Sequence, residues 1–479
     1  MDYRLEFRLL KKSTMQAIKN IKLVYAAFIL GAVMTTSCKK TFLELQNPTA
    51  LSPAQALASE ADLQVALRGA YAGMRSANNQ GRTIPVLGDL LADNAYISVA
   101  NSNRYTYGNT LTWTTANSDM LNFWTTSYNV ILRANNIINT ELKGANVDQL
   151  RGEAYAIRAL NYFTLVRFFA RPYTEDPNNP GVPIVLEYAP FYYPARSSVK
   201  EVYALILDDL TKAYGLMTKF TNSSQFSKYA AKALQAKVYL TMGDNTNARA
   251  AALDVINNSG FTLVSAANYK AYWDNAAIRT DKVETIFEIS SDATSNAGFD
   301  DLSGIYSQVG GYGDILASDD LYALFTATDV RKTLYATGTR GGIAAVFVNK
   351  YPNNSGDRSD TKILRLSEMY LIAAESSVEN EPEALGYVNA ITSRRNAAPI
   401  TSTGAALLND IITERRKELA FEGDRLPDMN RLKRDIVRST NYPATARSIP
   451  FTSFRRILPI PQSELDANPN IRSQQNPGY

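Results

Sequence analysis

Two alanine-faced segments separated by a single turn fix much of what this chain can fold into. Residues 227–242 carry Ala230, Ala233 and Ala236, and residues 246–258 carry Ala248, Ala251 and Ala252, with only Gly243-Asp244 as an obvious break between them. Small residues recurring every three or four positions mark helical faces, and so short a connection makes the two helices antiparallel neighbours. Gly260 then offers a left-handed residue to end the second helix. A similar pair is predicted at 364–378 and 382–396, with Pro382 at a helix start.

Longer helical stripes precede these pairs. Trp124, Tyr128, Ile131, Leu132, Asn135 and Ile138 share one face of 121–141, which makes Trp124 a core residue. Tyr155, Ala159, Tyr162, Phe163 and Val166 do the same in 147–169, before Arg171-Pro172 and PYTEDPNNPGVP break the chain. Ser198 and Glu201 form a capping box ahead of Val199, Val202, Tyr203, Ile206, Leu210, Ala213 and Tyr214. The helix pairs are similar to tetratricopeptide units, although scattered rather than in tandem. Between 261 and 360 the pattern changes. Short apolar pieces such as Glu284–Ile289 and Ala344–Val348 sit among Gly, Asn, Ser and Asp, which predicts a loop-rich region with a few short strands. So long a connecting region inside a compact protein usually has a function.

Composition removes several classes of activity. The 479 residues contain no histidine and a single cysteine, Cys38. The commonest general base, the usual zinc ligand, an internal disulfide and a thiolate cluster are therefore all missing. The formal charge of +4 comes largely from residues 1–37, which hold six basic and two acidic side chains. Without them Lys+Arg falls from 50 to 44 and Asp+Glu from 46 to 44, a balance that disfavours nucleic-acid binding.

The N-terminus reads as a bacterial lipoprotein signal. Lys11, Lys12, Lys19 and Lys22 precede the apolar run Leu23–Met34, which is too short for the roughly 20 residues that cross a bilayer. Thr35-Thr36-Ser37 and Cys38 follow, so residues 1–37 are expected to be a signal peptide and Cys38 the acylated first residue. Met15 is an alternative start to Met1. Thr35 stands where the lipoprotein motif usually carries an aliphatic residue. Residues 39–60, with Pro48 and Pro53, read as an extended tether.

Several segments together resemble the SusD/RagB family. They are WTTSYNVILRANNII (124–138), GEAYAIRALNYFTLVRFF (152–169), PGVPIV (180–185), LRLSEMYLIAAE (364–375), ERRKELAFEGDRLPDMNRLKR (414–434) and LPIPQSELDANPNIRSQQNPGY (458–479). The resemblance spans 38–479 and implies a mainly α, SusD-like fold with tetratricopeptide-like helix pairs. It divides into an N-terminal helical scaffold (38–260), a variable loop-rich region (261–360) and a C-terminal SusD/RagB region (361–479). It further implies a lipid-anchored outer-membrane protein, facing the cell surface, that works with a SusC-type TonB-dependent transporter in nutrient uptake. Oligosaccharide is the implied ligand, and peptides are handled by some related members. Export signals in such lipoproteins favour acids just after the cysteine, whereas here Lys39-Lys40 come first and Glu44 is the first acid.

For the site itself, the residues offer two chemistries. Glu414, Glu418, Glu422 and Asp428 are closely spaced, with Glu418 and Glu422 placed to share a helical face, which would suit a carboxylate-pair glycosidase. Arg415, Arg416, Lys417 and Arg425 are interleaved with them and would hold their pKa values down, so the segment is expected to be a structural ion-pair network. No enzymatic activity is expected. Gly310-Gly311-Tyr312-Gly313 and Gly341-Gly342 are expected to be plain flexible loops. No cofactor is expected, and a structural calcium ion on loop carbonyls is left open.

Sugar rings present C–H faces and hydroxyls, which suit exposed aromatic rings flanked by amides or charged groups. Stretch 93–117 has that chemistry in Asp93, Asn94, Tyr96, Asn101, Asn103, Arg104, Tyr105, Tyr107, Trp113 and Asn117. Trp113 is its leading candidate, and Trp273 with Tyr306 or Tyr312 would complete an aromatic arc. The expected function is therefore capture of an oligosaccharide for the transporter. A peptide-binding homologue, a glycosidase and a ligand-free structural adaptor are the alternatives.

Overall fold

The computed structural model describes residues 11, 14–21, 56–309 and 311–479. Thr35, Cys38, the Lys39-Lys40 pair, Glu44, Pro48, Pro53 and Gly310 lie outside the described residues, as does most of the expected signal peptide. The chain forms two units, Met1–Ala56 and Leu57–Tyr479. Residues 14–21 of the first are helical.

The second unit begins with α1 (Glu60–Arg75), opened by a Ser59/Asp62 capping box and burying Leu63, Leu67, Ala70 and Met74. Next comes α2 (Thr83–Leu90), every residue of which is buried. A helix with no solvent face has no amphipathic signature, so periodicity could not reveal it. The expected stripes form α3 (Ser118–Ile138), α4 (Ala145–Phe169) and α5 (Val199–Leu216). Ser198 and Glu201 form their capping box at the start of α5.

Helix α4 is the axis of this half, packing on α1, α3 and α5 and buried on nearly every side. A cation on such a helix needs a partner, and Arg158 finds it in Asp209 of α5, with N–O distances of 2.8 and 2.7 Å.

The Ala-faced segments form α6 (Lys228–Met242) and α7 (Asn245–Asn258), turned by Gly243 at φ +78° and capped by Asp244. Helix α7 packs on the first member of the second pair, α8 (Leu366–Glu375), which pairs with α9 (Glu381–Arg394). Helix α8 starts two residues later than expected because Leu364 and Arg365 close a strand. Two helices complete the frame, α10 (Gly404–Leu419) and α11 (Arg425–Arg431). Among the described residues no helix is long and apolar enough to cross a membrane.

The strands are short, as expected. In chain order they are β1 (Ala95–Ile97), β2 (Thr285–Ile289), β3 (Ile315–Ala317), β4 (Tyr335–Arg340), β5 (Ile343–Val348), β6 (Thr361–Arg365), β7 (Ile436–Val437) and β8 (Ser448–Ile449). One antiparallel sheet has the order β1-β3-β5-β4; β2 pairs with β6, and β7 with β8. Gly341-Gly342, read from sequence as a plain loop, is the two-residue turn of the β4–β5 hairpin. Both φ values are positive, as a primed hairpin turn requires.

The acidic segment 414–428 is an ion-pair network in which interleaved cations serve Glu414 and Asp428, while cations from outside the segment serve Glu418 and Glu422. Glu418 is fully buried among Arg365 (2.8 Å), Arg395 (2.8 Å) and Arg331 (3.2 Å). Glu422 takes Arg365 (2.7 Å) and Lys350 (2.6 Å). It does not share a helical face with Glu418, because α10 stops at Leu419 and Phe421 turns the chain at φ +68°. The interleaved cations serve the other two acids of the segment and carboxylates outside it. Arg415 binds Glu368 and Asp428, Arg416 binds Asp320, Lys417 binds Glu414 and Asp329, and Arg425 binds Asp93.

Candidate functional site

Most of the expected aromatic arc points inward. Trp113 is 2% exposed. Its Nε1–H donates to Tyr479 Oη at 2.6 Å, and the Arg455 guanidinium lies 5.1 Å from its ring. It therefore fastens the C-terminus and offers no platform, a correction no local pattern could supply because its partners lie more than 340 residues away. Tyr107 is half-buried against Trp113 and donates to Asp119 at 2.9 Å. Tyr105 is buried, its hydroxyl accepting from Arg82 at 2.8 Å. Tyr96 packs on Tyr442 with ring centroids 6.2 Å apart.

The other expected residues are frame as well. Burial pushes the Asp93 carboxyl up, but Arg425 and Arg416 overcome it and hold it at about 2. Asn94 bridges Asp89 and Arg416 at 2.7 and 2.8 Å. Trp273 and Tyr306 are buried and both pack on Tyr351, each with its ring centroid 6.0 Å from it. Asn117 caps α3, and Asn101 ties down its own loop through Ser98 O at 2.6 Å. Trp124 lies in the core, as its stripe predicts.

Arg104 and Tyr312 are brought together at the surface. The guanidinium stands 3.9 Å from the Tyr312 ring centroid, and Nη2 donates to Tyr312 Oη at 2.7 Å. Nη1 donates to Asp300 at 2.6 Å, and Arg82 reaches the same carboxylate at 2.8 Å. Phe299, beside Asp300, is 55% exposed.

The sheet positions these loops. Ser98, just past β1, donates its N–H to Asp314 O at 2.8 Å. The last residue of β4, Arg340, donates to Ala100 O (2.8 Å), Gln308 Oε1 (2.7 Å) and Tyr312 O (2.6 Å). Ser102 hydrogen-bonds Asp314 through both its backbone and its side chain. Thus the loops after β1 and before β3 are tied to the end of β4 through Asp314 and Arg340, and Val99, Val309 and Ile343 in and beside them are exposed.

This face combines exposed apolar side chains, the rings of Tyr312 and Phe299, guanidinium groups, a carboxylate and an amide. It suits reversible capture of a polar ligand with apolar patches. Sequence reasoning missed Phe299, Asp300, Gln308 and Arg340. The only pointer to them was the loop-rich character of 261–360. Among the described residues no group of three or more Cys, Asp or Glu is arranged to hold a metal ion.

A frame of helix pairs with a polar–aromatic face displayed on inserted loops defines a class of helical binding scaffold, and the comparisons with known proteins give it a family. Residues 41–240 match a SusD-like family model described as starch-binding and associating with the outer membrane, and residues 337–479 match the SusD family model. A SusD superfamily protein of Bacteroides thetaiotaomicron has a solved structure that is 31% identical. Its TM-score is 0.80, over 88% of this chain and all of that one. A putative sugar binding protein of Bacteroides vulgatus is 30% identical with a TM-score of 0.78, over 88% of this chain and 98% of that one. SusD-like protein P2 of Formosa agariphila is 28% identical over 96% of this chain and its own full length. The chain belongs to the SusD family.

Proposed function

We propose that this protein captures an oligosaccharide on the Arg104–Tyr312 face and passes it, uncleaved, to a SusC-type TonB-dependent transporter in the outer membrane. The observation that carries the reading is the Arg104 guanidinium over the half-buried Tyr312 ring, beside exposed Phe299 and the Asp300 carboxylate. Ring faces would stack on the C–H side of a sugar while guanidinium, carboxylate and amide groups take its hydroxyls. The carbohydrate-binding descriptions of the relatives support the same ligand class. Acylation of Cys38 would tether the mature chain, 38–479, to the outer membrane with the binding face outward.

Hydrolysis is the rival reading, and Glu153 is the residue that favours it. Burial raises its carboxyl to about 7, in the range of a general acid, and it lines an open cleft between α1 and α4. Both its oxygens are already engaged, by Tyr71 at 2.7 Å and Gln149 at 3.1 Å, so it serves the helix packing. Calorimetry of the mature protein against neutral and acidic oligosaccharides, with chromatography of the same mixtures, tests both readings. Binding without new products is expected, with at least a tenfold loss in an Arg104→Ala/Tyr312→Ala variant. Released shorter sugars would replace capture with hydrolysis, and undiminished affinity in the variant would move the ligand away from this face.

A further inference from the structure

A second aromatic surface is built from entirely different elements. The chain from Pro183 to Pro194 is fastened at both ends by side chains that bind its backbone. Tyr128 donates to Pro183 O at 2.8 Å, Asn135 to Val185 O at 2.9 Å and Asn139 to Leu186 O at 2.9 Å. At the far end Asn470 donates to Tyr193 O at 2.5 Å and Asn468 to Pro194 O at 2.9 Å. Between these fastenings Tyr188 is 63% exposed, Phe191 87%, Tyr192 59% and Tyr193 43%. A solvated turn gains nothing from four exposed rings in six residues. Patches of this kind on soluble proteins mark binding surfaces.

Two of these rings wall a cleft. Tyr192 and Tyr193, the half-buried Tyr128 and the edge of the largely buried Trp124 of α3 line a space of about 290 Å³, together with Glu464 and Asn468. The Trp124 and Tyr128 rings lie 5.0 Å apart, and Trp124 Nε1–H donates to one oxygen of Glu464 at 3.3 Å. The volume is close to the lower end of ligand sites, which run from about 300 to 1,000 Å³. Aromatic walls with a few convergent oxygens and amides are what a pyranose ring asks for, with stacking on its C–H face and hydrogen bonds to its hydroxyls. Glu464 is the one charged group in the lining, so an acidic sugar would meet a carboxylate and no cation.

We propose that this cleft is a second carbohydrate subsite, specific for neutral sugars, with Tyr192 and Tyr193 as its stacking wall. It rests on the glycan-capture reading above but uses no residue of the Arg104–Tyr312 face, so one protein would hold a long glycan at two points or two glycans at once.

The test is calorimetric titration of the mature protein with maltoheptaose, xylohexaose, mannohexaose and laminarihexaose. Three variants accompany it: Tyr192→Ala/Tyr193→Ala, Tyr192→Phe/Tyr193→Phe and Arg104→Ala/Tyr312→Ala. Two sites per chain are expected for at least one of these sugars. The Tyr192→Ala/Tyr193→Ala variant should lose one site, and the Phe variant, which keeps the ring faces, should hold affinity within threefold. The Arg104→Ala/Tyr312→Ala variant should keep the Tyr192 site. A single site untouched by the Tyr192→Ala/Tyr193→Ala change overturns the proposal and leaves the Arg104–Tyr312 reading standing. Loss of all binding in that variant alone removes the Arg104–Tyr312 reading and keeps this one. Sugar binding unchanged while the transporter no longer co-purifies would make the patch a protein-docking surface, again overturning the subsite. No binding of any of the four sugars by the unaltered protein overturns both.

Discussion

Glu418 and Asp300 are both carboxylates clasped by guanidinium groups, yet one belongs to the frame and the other to the proposed binding face. Glu418 is fully buried, with Arg331, Arg365 and Arg395 around it and Glu284 and Glu422 completing the network. Asp300 bridges Arg82 and Arg104 with its side chain 47% exposed. The pairing chemistry is alike and the surroundings are not. Buried charges must be matched group for group, because an unpaired one is strongly destabilising, whereas an exposed pair exchanges readily with water or a ligand. A saturated, dry cluster therefore holds α10 against β6 and α9. A half-wet one would be free to trade partners with a bound ligand, as the proposed capture requires.

The sharpest way to break this comparison is to remove one acceptor from the frame. Glu418→Gln leaves three buried guanidinium groups short of a charge, and the expected loss is about 3–5 kcal/mol of stability. Urea denaturation followed by circular dichroism measures it. A loss below about 1 kcal/mol would mean the network is loosely held and the distinction fails. The same network sets the acid side of the stability profile. Burial raises Glu418, but Arg395 and Arg365 hold it well below the usual carboxylate range, and outside this network Arg425 and Arg416 hold Asp93 at about 2. Their contribution is present above the unfolded carboxylate value of ~4 and is lost as pH falls through the folded values.

Much of this frame was legible in the sequence, and the proposed binding face was not. The α6–α7 pair, the Ser198 cap and the α3 and α4 stripes follow from local spacing, which a single helix records in its own residues. Helix α2 escaped because burial on every side erases periodicity. The reading of Trp113, Tyr105 and Trp273 as exposed rings failed for a related reason. An aromatic in a loop carries no local record of whether Tyr479, Arg82 or Tyr351 will cover it. Arg104 and Tyr312 were named, but Asp300 and Arg340 enter the site only because the β1-β3-β5-β4 sheet gathers three separate loops. Pairing across more than a hundred residues leaves no spacing to read.

A smaller effect sharpens the comparison from the side of a buried acid without a cation at hand. Glu153 is held by Tyr71 and Gln149, and burial raises it from 4.5 to about 7. Between those two values the folded chain binds the proton that the unfolded chain has released. Stability then falls as pH rises, by up to about 3 kcal/mol at ~1.36 kcal/mol per unit. Glu153→Gln should make the decline of denaturation midpoints between pH 4.5 and about 7 shallower, leaving the part that comes from Asp89 and Asp360, which burial raises to about 6 and about 8; an unchanged slope in the variant would assign it to those two groups. The slope has the opposite sign to that of Glu418, so the two acids bracket an optimum in the mildly acidic range.

The smallest expected stability change falls on the proposed binding face, and there the measurement must be paired with binding. Asp300→Asn removes the charge that Arg82 and Arg104 share. Because Asp300 is half exposed, the loss of stability should stay below about 1 kcal/mol, against the several expected for Glu418→Gln. The Arg104 guanidinium, no longer drawn to a carboxylate, would spend less time over Tyr312, and glycan affinity should fall three- to tenfold, about 1 kcal/mol. The pairing of outcomes is what discriminates. A large stability loss with unchanged affinity would make Asp300 one more member of the frame. A small loss with weakened binding would tie the difference between the two clusters to water access, since the ion-pair chemistry is common to both.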